Sequence, residues 1–259
     1  MSKLVITESF HAVQGEGVWT GHPSFFLRTA GCGVKCPACD TIYSWNKERP
    51  DGVASGQYME IDSDDIVMQI VESGLRFVVV TGGEPAEQAA ELLDVVQHSQ
   101  MVRRWFTIET SGNVAFDPTP YHLLSCSPKM SGMMRRQVGN ERYTGHLPQM
   151  IHAMLAAGKL VQLKYVITNE QDFLDAKNLT WAVVPQDCRR NVNVLFQPNN
   201  APFVEAAREQ ELADYCANLR QLTEAFTTDV KKGGMWEHFP LVRLQVQQHW
   251  LSHGREKGT

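Results

Sequence analysis

The 259-residue chain contains no stretch near the roughly 20 consecutive apolar residues that cross a bilayer. Its start, "MSKLVITESF", lacks the apolar run of a secretory signal. Positive charge is not in surplus: 24 Lys and Arg stand against 29 Asp and Glu, so no basic stripe is available for a phosphate backbone. There are no internal repeats, and no G-x-G-x-x-G follows a strand and opens a helix. These absences predict a cytoplasmic protein with neither membrane nor nucleic acid as partner, and they disfavour a dinucleotide-binding sheet.

Short apolar and β-branched runs are plentiful. They occur at 24–30, 76–82, 105–111, 122–127, 160–168 and 192–198, and helical patterns fall at 63–74, 86–99, 147–158, 171–183 and 203–226. Strand alternating with helix predicts right-handed crossovers and a parallel sheet. About six strands are too few for a closed eight-stranded barrel. The expected fold is therefore α/β: a partial, open barrel in a single domain over 1–259, with loop insertions near 130–146 and 227–240.

Cysteine is scarce but unevenly placed. Three of the six sit scattered in apolar segments, at Cys126, Cys188 and Cys216, and read as buried thiols. The other three crowd into "AGCGVKCPACDT" as Cys32, Cys36 and Cys39. In a reducing compartment a disulfide knot is disfavoured. A zinc site needs a fourth ligand, and no second pair follows, although a histidine elsewhere can complete one. A [4Fe–4S] cluster with one open iron suits three thiolates at C-x3-C-x2-C.

A second motif, Thr81-Gly82-Gly83-Glu84-Pro85, ends a buried strand just before a helix. It reads either as a plain strand-to-helix turn with Pro in the first helical turn, or as a backbone cradle for a ligand. Ahead of the cysteines lies Gln14-Gly15-Glu16-Gly17, an amide and a carboxylate on a flexible backbone, fit to read the donor/acceptor edge of a heterocycle. Arg28 follows two apolar residues near a strand end and offers a fork for a carboxylate.

Taken together, these motifs resemble the radical S-adenosylmethionine superfamily and, within it, the QueE family of 7-carboxy-7-deazaguanine synthases. The likeness rests on Glu8, Gln14 to Gly17, Gly21, Pro23, Arg28, Ala30-Gly31-Cys32 and Cys39-Asp40-Thr41. It extends to "TIETSGN", Ser127-Pro128-Lys129, "LKYVIT", Gln197-Pro198 and "VRLQVQQHW". The resemblance implies a lyase that contracts the ring of 6-carboxy-5,6,7,8-tetrahydropterin, with loss of ammonia, in deazapurine biosynthesis of the queuosine type.

It implies a [4Fe–4S] cluster on Cys32, Cys36 and Cys39, with Mg2+ on Thr41. S-adenosylmethionine would lie against Pro37, Ala38, Gly83, Glu84, Ser127, Pro128, Lys129, Asn169 and Asp172. The pterin would meet Val13, Gln14, Gly15, Glu16, Arg28, Thr81, Gln247 and His249. An external electron donor such as flavodoxin and a homodimer are also implied. Ala38 departs from the superfamily, where an aromatic residue often precedes the last cysteine. A glycyl-radical activase and a non-enzymatic zinc module remain the alternatives.

Overall fold

The computed structural model describes residues 2–46, 58–101, 103–199 and 208–246. Its nine strands form one open sheet: β1 (Lys3–Val13), β2 (Pro23–Thr29), β3 (Met59–Asp62), β4 (Phe77–Gly82), β5 (Trp105–Thr110), β6 (Leu123–Cys126), β7 (Leu160–Ile167), β8 (Val192–Pro198) and β9 (Val242–Leu244). The order across the sheet is β3-β1-β2-β4-β5-β6-β7-β8-β9. From β2 to β9 every neighbour is parallel, whereas β1 pairs antiparallel with β2 and β3.

From β4 onward each strand lies beside its predecessor in sequence. Right-handed crossovers in such an order place every connecting helix on the same face. The helices are α1 (Ser63–Glu72), α2 (Ala89–Gln100), α3 (Ser131–Met134), α4 (Glu141–Thr144), α5 (Leu147–Ala156), α6 (Glu170–Val183) and α7 (Arg208–Lys231). One core joins Ile66 and Ile70 of α1, Val95 of α2, Ile151 of α5, Leu179 of α6 and Leu222 of α7 to Leu27, Val80, Ile108, Leu124, Leu163 and Val194 of the strands. Each such side chain, fully buried, contributes roughly 1.5–3 kcal/mol. The alternate residues of the same strands point to the other face, on which none of the helices α1 to α7 of the described residues contributes to this core.

All six expected strands form, within one or two residues of their expected bounds. Three further strands were not expected, because β3 and β9 are only four and three residues long and a bulge between Ile6 and Glu8 breaks the alternation in β1. The two expected loops are partly helical. Residues 131–134 and 141–144 form α3 and α4, and α7 runs on to Lys231. Four-residue helices are too short to show a periodicity or to stand without tertiary contacts. Among the described residues no helix is long and apolar enough to cross a membrane.

Candidate active site

The open face of the sheet carries a row of polar side chains along one register line. Glu8 stands opposite Arg28, and Arg28 opposite Thr81. Further along, Glu109 faces Ser125, Ser125 faces Gln162, and Gln162 faces Asn193. Thr81 joins the two halves by donating to Glu109 at 3.1 Å. A β-bulge in β1 sets up one end: the pairing shifts between Ile6 and Glu8, so Ile6 enters the helix-side core while Glu8 turns to the open face. There Glu8 accepts from Arg28 Nε at 2.8 Å and from the Tyr43 hydroxyl at 2.8 Å. Arg28 also lies over the rings of Phe10 and Tyr43, at 5.5 and 5.8 Å.

The segment between β1 and β2 folds across this face. Gln14 donates to Glu109 at 3.1 Å, and its own Oε1 accepts from Glu16 N. Glu16 pairs with Lys164 of β7, both carboxylate and ammonium buried. Burial pulls the Lys164 ammonium down, but Glu16 and Glu109 outweigh it and hold it above its usual range. Gln197 of β8 donates to the same Glu16 oxygen at 3.3 Å, and its buried Oε1 has no protein partner. Further on, Trp19 packs on Phe77 and Trp105, closing the far end of the face. Val13 is 54% exposed where this segment begins, outside the network.

The C-terminal ends of the parallel strands form the rim above. β2 leads into the cysteine loop, which closes through Gly31 N donating to Ser44 O at 2.8 Å. The Thr81–Gln88 turn staples it in place: Gly83 N donates to Thr29 O, Glu84 N to Gly31 O, Gln88 Nε2 to Ala30 O, and Glu87 accepts from Gly33 N at 2.7 Å. A Cβ at Gly83 would lie 1.8 Å from Gly31 O, which is why the position is glycine. The Glu84 carboxylate faces inward, accepting from Ala86 N, the Thr110 hydroxyl, and both the amide and hydroxyl of Ser111. The motif is therefore both a strand-to-helix turn and the scaffold of the cysteine loop.

Cys36 is buried with Val34 and Met134, and Cys32, Cys39 and Val138 pack against them. All six cysteines are free thiols. Burial pushes the Cys36 thiol up to about 11, with Lys129 opposing and the other two thiols adding. Cys32 and Cys39 are raised as well, chiefly by burial. Three thiols so placed become ligands together only around a strongly cationic group. Among the described residues, no three His, Cys, Asp or Glu side chains converge on a point as one ion requires. In a cubane cluster each thiolate meets a different iron. Three clustered free thiols are a donor set that suits a cluster with one open iron. The Thr41 hydroxyl lies 3.6 Å from the Cys39 sulfur. Pro37 is exposed and Ala38 buried within the loop.

Around the rim, Ser127 N donates to Thr110 O, Lys129 Nζ to the Ser127 hydroxyl at 3.2 Å, and Lys129 N to the Tyr143 hydroxyl of α4. Pro128 between them is buried. Asn169 caps α6 by accepting from Asp172 N, and the Asp172 carboxylate accepts from Gly132 N and Thr168 N. Asn169 and Asp172 thus fasten the insertion carrying Met134 to the rim, and the side chain of Asp172 is committed to backbone. Gln247 and His249 lie outside the described residues.

The structure brings Cys32 to Thr41, Gly83, Ser127 to Lys129 and Asn169 together on the rim, and Gln14 to Glu16, Arg28 and Thr81 on the face beneath it. It adds Glu109, Gln162, Lys164 and Gln245 to the face. The first three had a signal, a polar residue recurring at period two inside otherwise apolar strands, as in "VQLKYV". Gln245 had none.

A model of the 4Fe-4S single cluster domain matches residues 13–113. The chain is 39% identical over 131 residues to the 7-carboxy-7-deazaguanine synthase of Rhodopirellula baltica, covering 50% of this chain and 46% of that one. It is 34% identical over 139 residues to the synthase of Escherichia coli K12, covering 49% of this chain and 61% of that one. With the Rhodopirellula protein and the synthase of Methanospirillum hungatei, the match spans about half the relative's length. In fold, the crystal structure of QueE from Escherichia coli is similar across 95% of both chains, with a TM-score of 0.63 and 23% identity. Streptococcus suis SuiB bound to S-adenosylmethionine is similar over 84% of this chain and 45% of its own, at a TM-score of 0.51 and 14% identity. The chain resembles the 7-carboxy-7-deazaguanine synthases in sequence over half its length and QueE in fold over nearly all of it.

Proposed function

We propose that the chain is a radical S-adenosylmethionine lyase that contracts the ring of 6-carboxy-5,6,7,8-tetrahydropterin to 7-carboxy-7-deazaguanine with release of ammonia. The observation that carries this reading is the layering of the site. A polar face equipped with Gln14, Glu16, Thr81 and Glu109 lies directly beneath a rim that carries three free, clustered thiols. A glycyl-radical activase has no use for a buried polar face that reads a heterocycle. A zinc module leaves the Thr81–Pro85 turn at the strand end, and the polar face beside it, without a use.

Cys32, Cys36 and Cys39 hold the [4Fe–4S] cluster. Together, the cluster and S-adenosylmethionine supply the one-electron chemistry that removes a hydrogen from the pterin. The chain's own residues bind and orient. The Gly83 backbone, Ser127 and Lys129 shape the rim where S-adenosylmethionine sits, whereas Glu84 and Asp172 act by fixing that backbone. Gln14 and Glu109 present an amide and a carboxylate to the pyrimidine edge, and the leftover acceptor on Gln197 suits a ring N–H. Arg28, tied to Glu8 through Nε, turns its terminal amino groups to the substrate carboxylate. Thr41 would supply one oxygen to a bound Mg2+, a cation that prefers oxygen ligands. The reading includes a cytoplasmic home, where all six thiols stay reduced, an external electron donor such as flavodoxin, and a homodimer.

Anaerobic incubation with reductant, S-adenosylmethionine, Mg2+ and the carboxytetrahydropterin should yield 7-carboxy-7-deazaguanine by mass spectrometry. Cys32→Ala, Cys36→Ala and Cys39→Ala should yield none. Product from a triple-cysteine variant, or one zinc per chain with no iron or sulfide after anaerobic purification, overturns the reading.

A further inference from the structure

The backbone polar groups at Gly17 and Val18 are held by two glutamines from the far half of the chain. Gly17 N donates to Gln245 Oε1 at 2.9 Å, while Gln245 Nε2 donates to Gly17 O at 3.2 Å and to the Thr20 hydroxyl at 3.0 Å. Val18 N donates to Gln162 Oε1 at 2.9 Å, and Gln162 Nε2 is anchored on the Ser125 hydroxyl at 2.7 Å. Gly17 stands at φ +81, and a Cβ there would meet the Gln162 amide at 2.5 Å. The base of the loop that carries Gln14 and Glu16 is paired by Gln14 N to His22 O and Gly21 N to Gln14 O, but the amides of Gly17 and Val18 at its turn are satisfied by side chains 228 and 144 positions away. Gln245 immediately follows β9, whose neighbour β8 supplies Gln197 to Glu16, so one end of the sheet grips the loop twice.

From this geometry we infer that Gln245, seconded by Gln162, is a positioning residue that sets the Gln14–Gly17 loop for substrate. The inference rests on the pterin reading of that loop. The Gln245 side chain meets the Gly17 main chain and the Thr20 hydroxyl, and acts on substrate through the loop. Its effect should therefore fall on substrate affinity and spare the cluster.

Gln245→Met keeps the length of the arm and its backbone bond to Phe196 O, and removes the three side-chain hydrogen bonds. Gln245→Asn keeps the amide but shortens it, and serves should the first variant fold poorly. Two readouts separate the claims. Hydrogen exchange of peptides covering residues 14–20, measured on the cluster-loaded protein, should be faster in both variants. The KM for carboxytetrahydropterin should rise about tenfold, the weight of one to two lost hydrogen bonds. The maximal rate, the iron content and the slow pterin-independent cleavage of S-adenosylmethionine should stay at wild-type levels. Unchanged exchange overturns the clamp. Faster exchange with an unchanged KM overturns its role toward substrate, and parallel loss of iron, rate and affinity makes Gln245 merely structural. If the wild type neither binds nor converts the pterin, the parent reading fails and takes the substrate half of this inference with it; the exchange arm still decides the clamp.

Discussion

Gly83 sits where two loops touch. A methyl group there would overlap the Gly31 carbonyl, backbone against backbone, so neither partner can rotate away. Overpacking of this kind costs about 1–3 kcal/mol. The displaced segment is the one that leads into Cys32. Gly83→Ala should lower stability in urea by that amount and also reduce the iron held after reconstitution. Gly145→Ala is the matched control. Its Cβ has nothing within 4 Å and its φ is −77, so it should be neutral or stabilising by about 0.4–1 kcal/mol. A Gly83→Ala protein with wild-type stability and iron content would remove the staple from the account. At this scale the sequence was readable where residue type and spacing carry the chemistry, as in the cysteine triad and the G-G-E turn. It was not readable where a carboxylate faces backbone: nothing in the letters Glu84 or Asp172 says that their oxygens are already engaged.

The strands of the parallel sheet were legible because apolar, β-branched runs announce them, and the helices because their buried faces repeat. β1 was not, since its bulge breaks the alternation between Ile6 and Glu8 that marks a strand. The element that joins β5 to β6 makes a further point about local stability. His122, next to the start of β6, donates its amide to Phe106 O at 2.9 Å and accepts the Phe106 amide on Nδ1 at 3.1 Å. Only the neutral imidazole can accept. Burial, and secondarily Lys159, holds its pKa below the ordinary 6.5; Trp105 packs on the ring at 5.0 Å. Above the ordinary value both folded and unfolded forms are neutral and the stabilising contribution is complete. As pH falls through 6.5 the unfolded chain takes up its proton first, so stability declines toward the lower folded value. Urea melts of wild type and His122→Gln between about pH 7 and 5 check this, because the amide oxygen keeps the acceptor without titrating. The variant should lose less stability over that interval. Parallel curves would place the pH dependence elsewhere.

At the scale of the whole molecule, the site exists because a sheet wound in sequence order carries its helices on one face and leaves the other to the segment between β1 and β2. That arrangement was partly legible. The open parallel sheet follows from the alternation of elements, but which face stays bare, and what covers it, depends on contacts between residues far apart in the chain. One such contact on that face is the ion pair of Lys164 with Glu16, 148 positions away and buried at both ends. Removing one member of a buried ion pair strands the other, at a cost of about 3–5 kcal/mol, whereas removing both charges together is far milder. Lys164→Met should therefore destabilise the protein by several kcal/mol and free the loop from the face. Adding Glu16→Gln should restore most of the stability, because the amide can still accept from Gln197 while no charge remains to be neutralised. On the function proposed above, which assigns Glu16 to the substrate, pterin turnover should not return with it. Stability and turnover measured on the two single variants and the double variant complete the cycle. Recovery of turnover along with stability would show that the pair holds the loop in place and that the Glu16 charge takes no part in recognition.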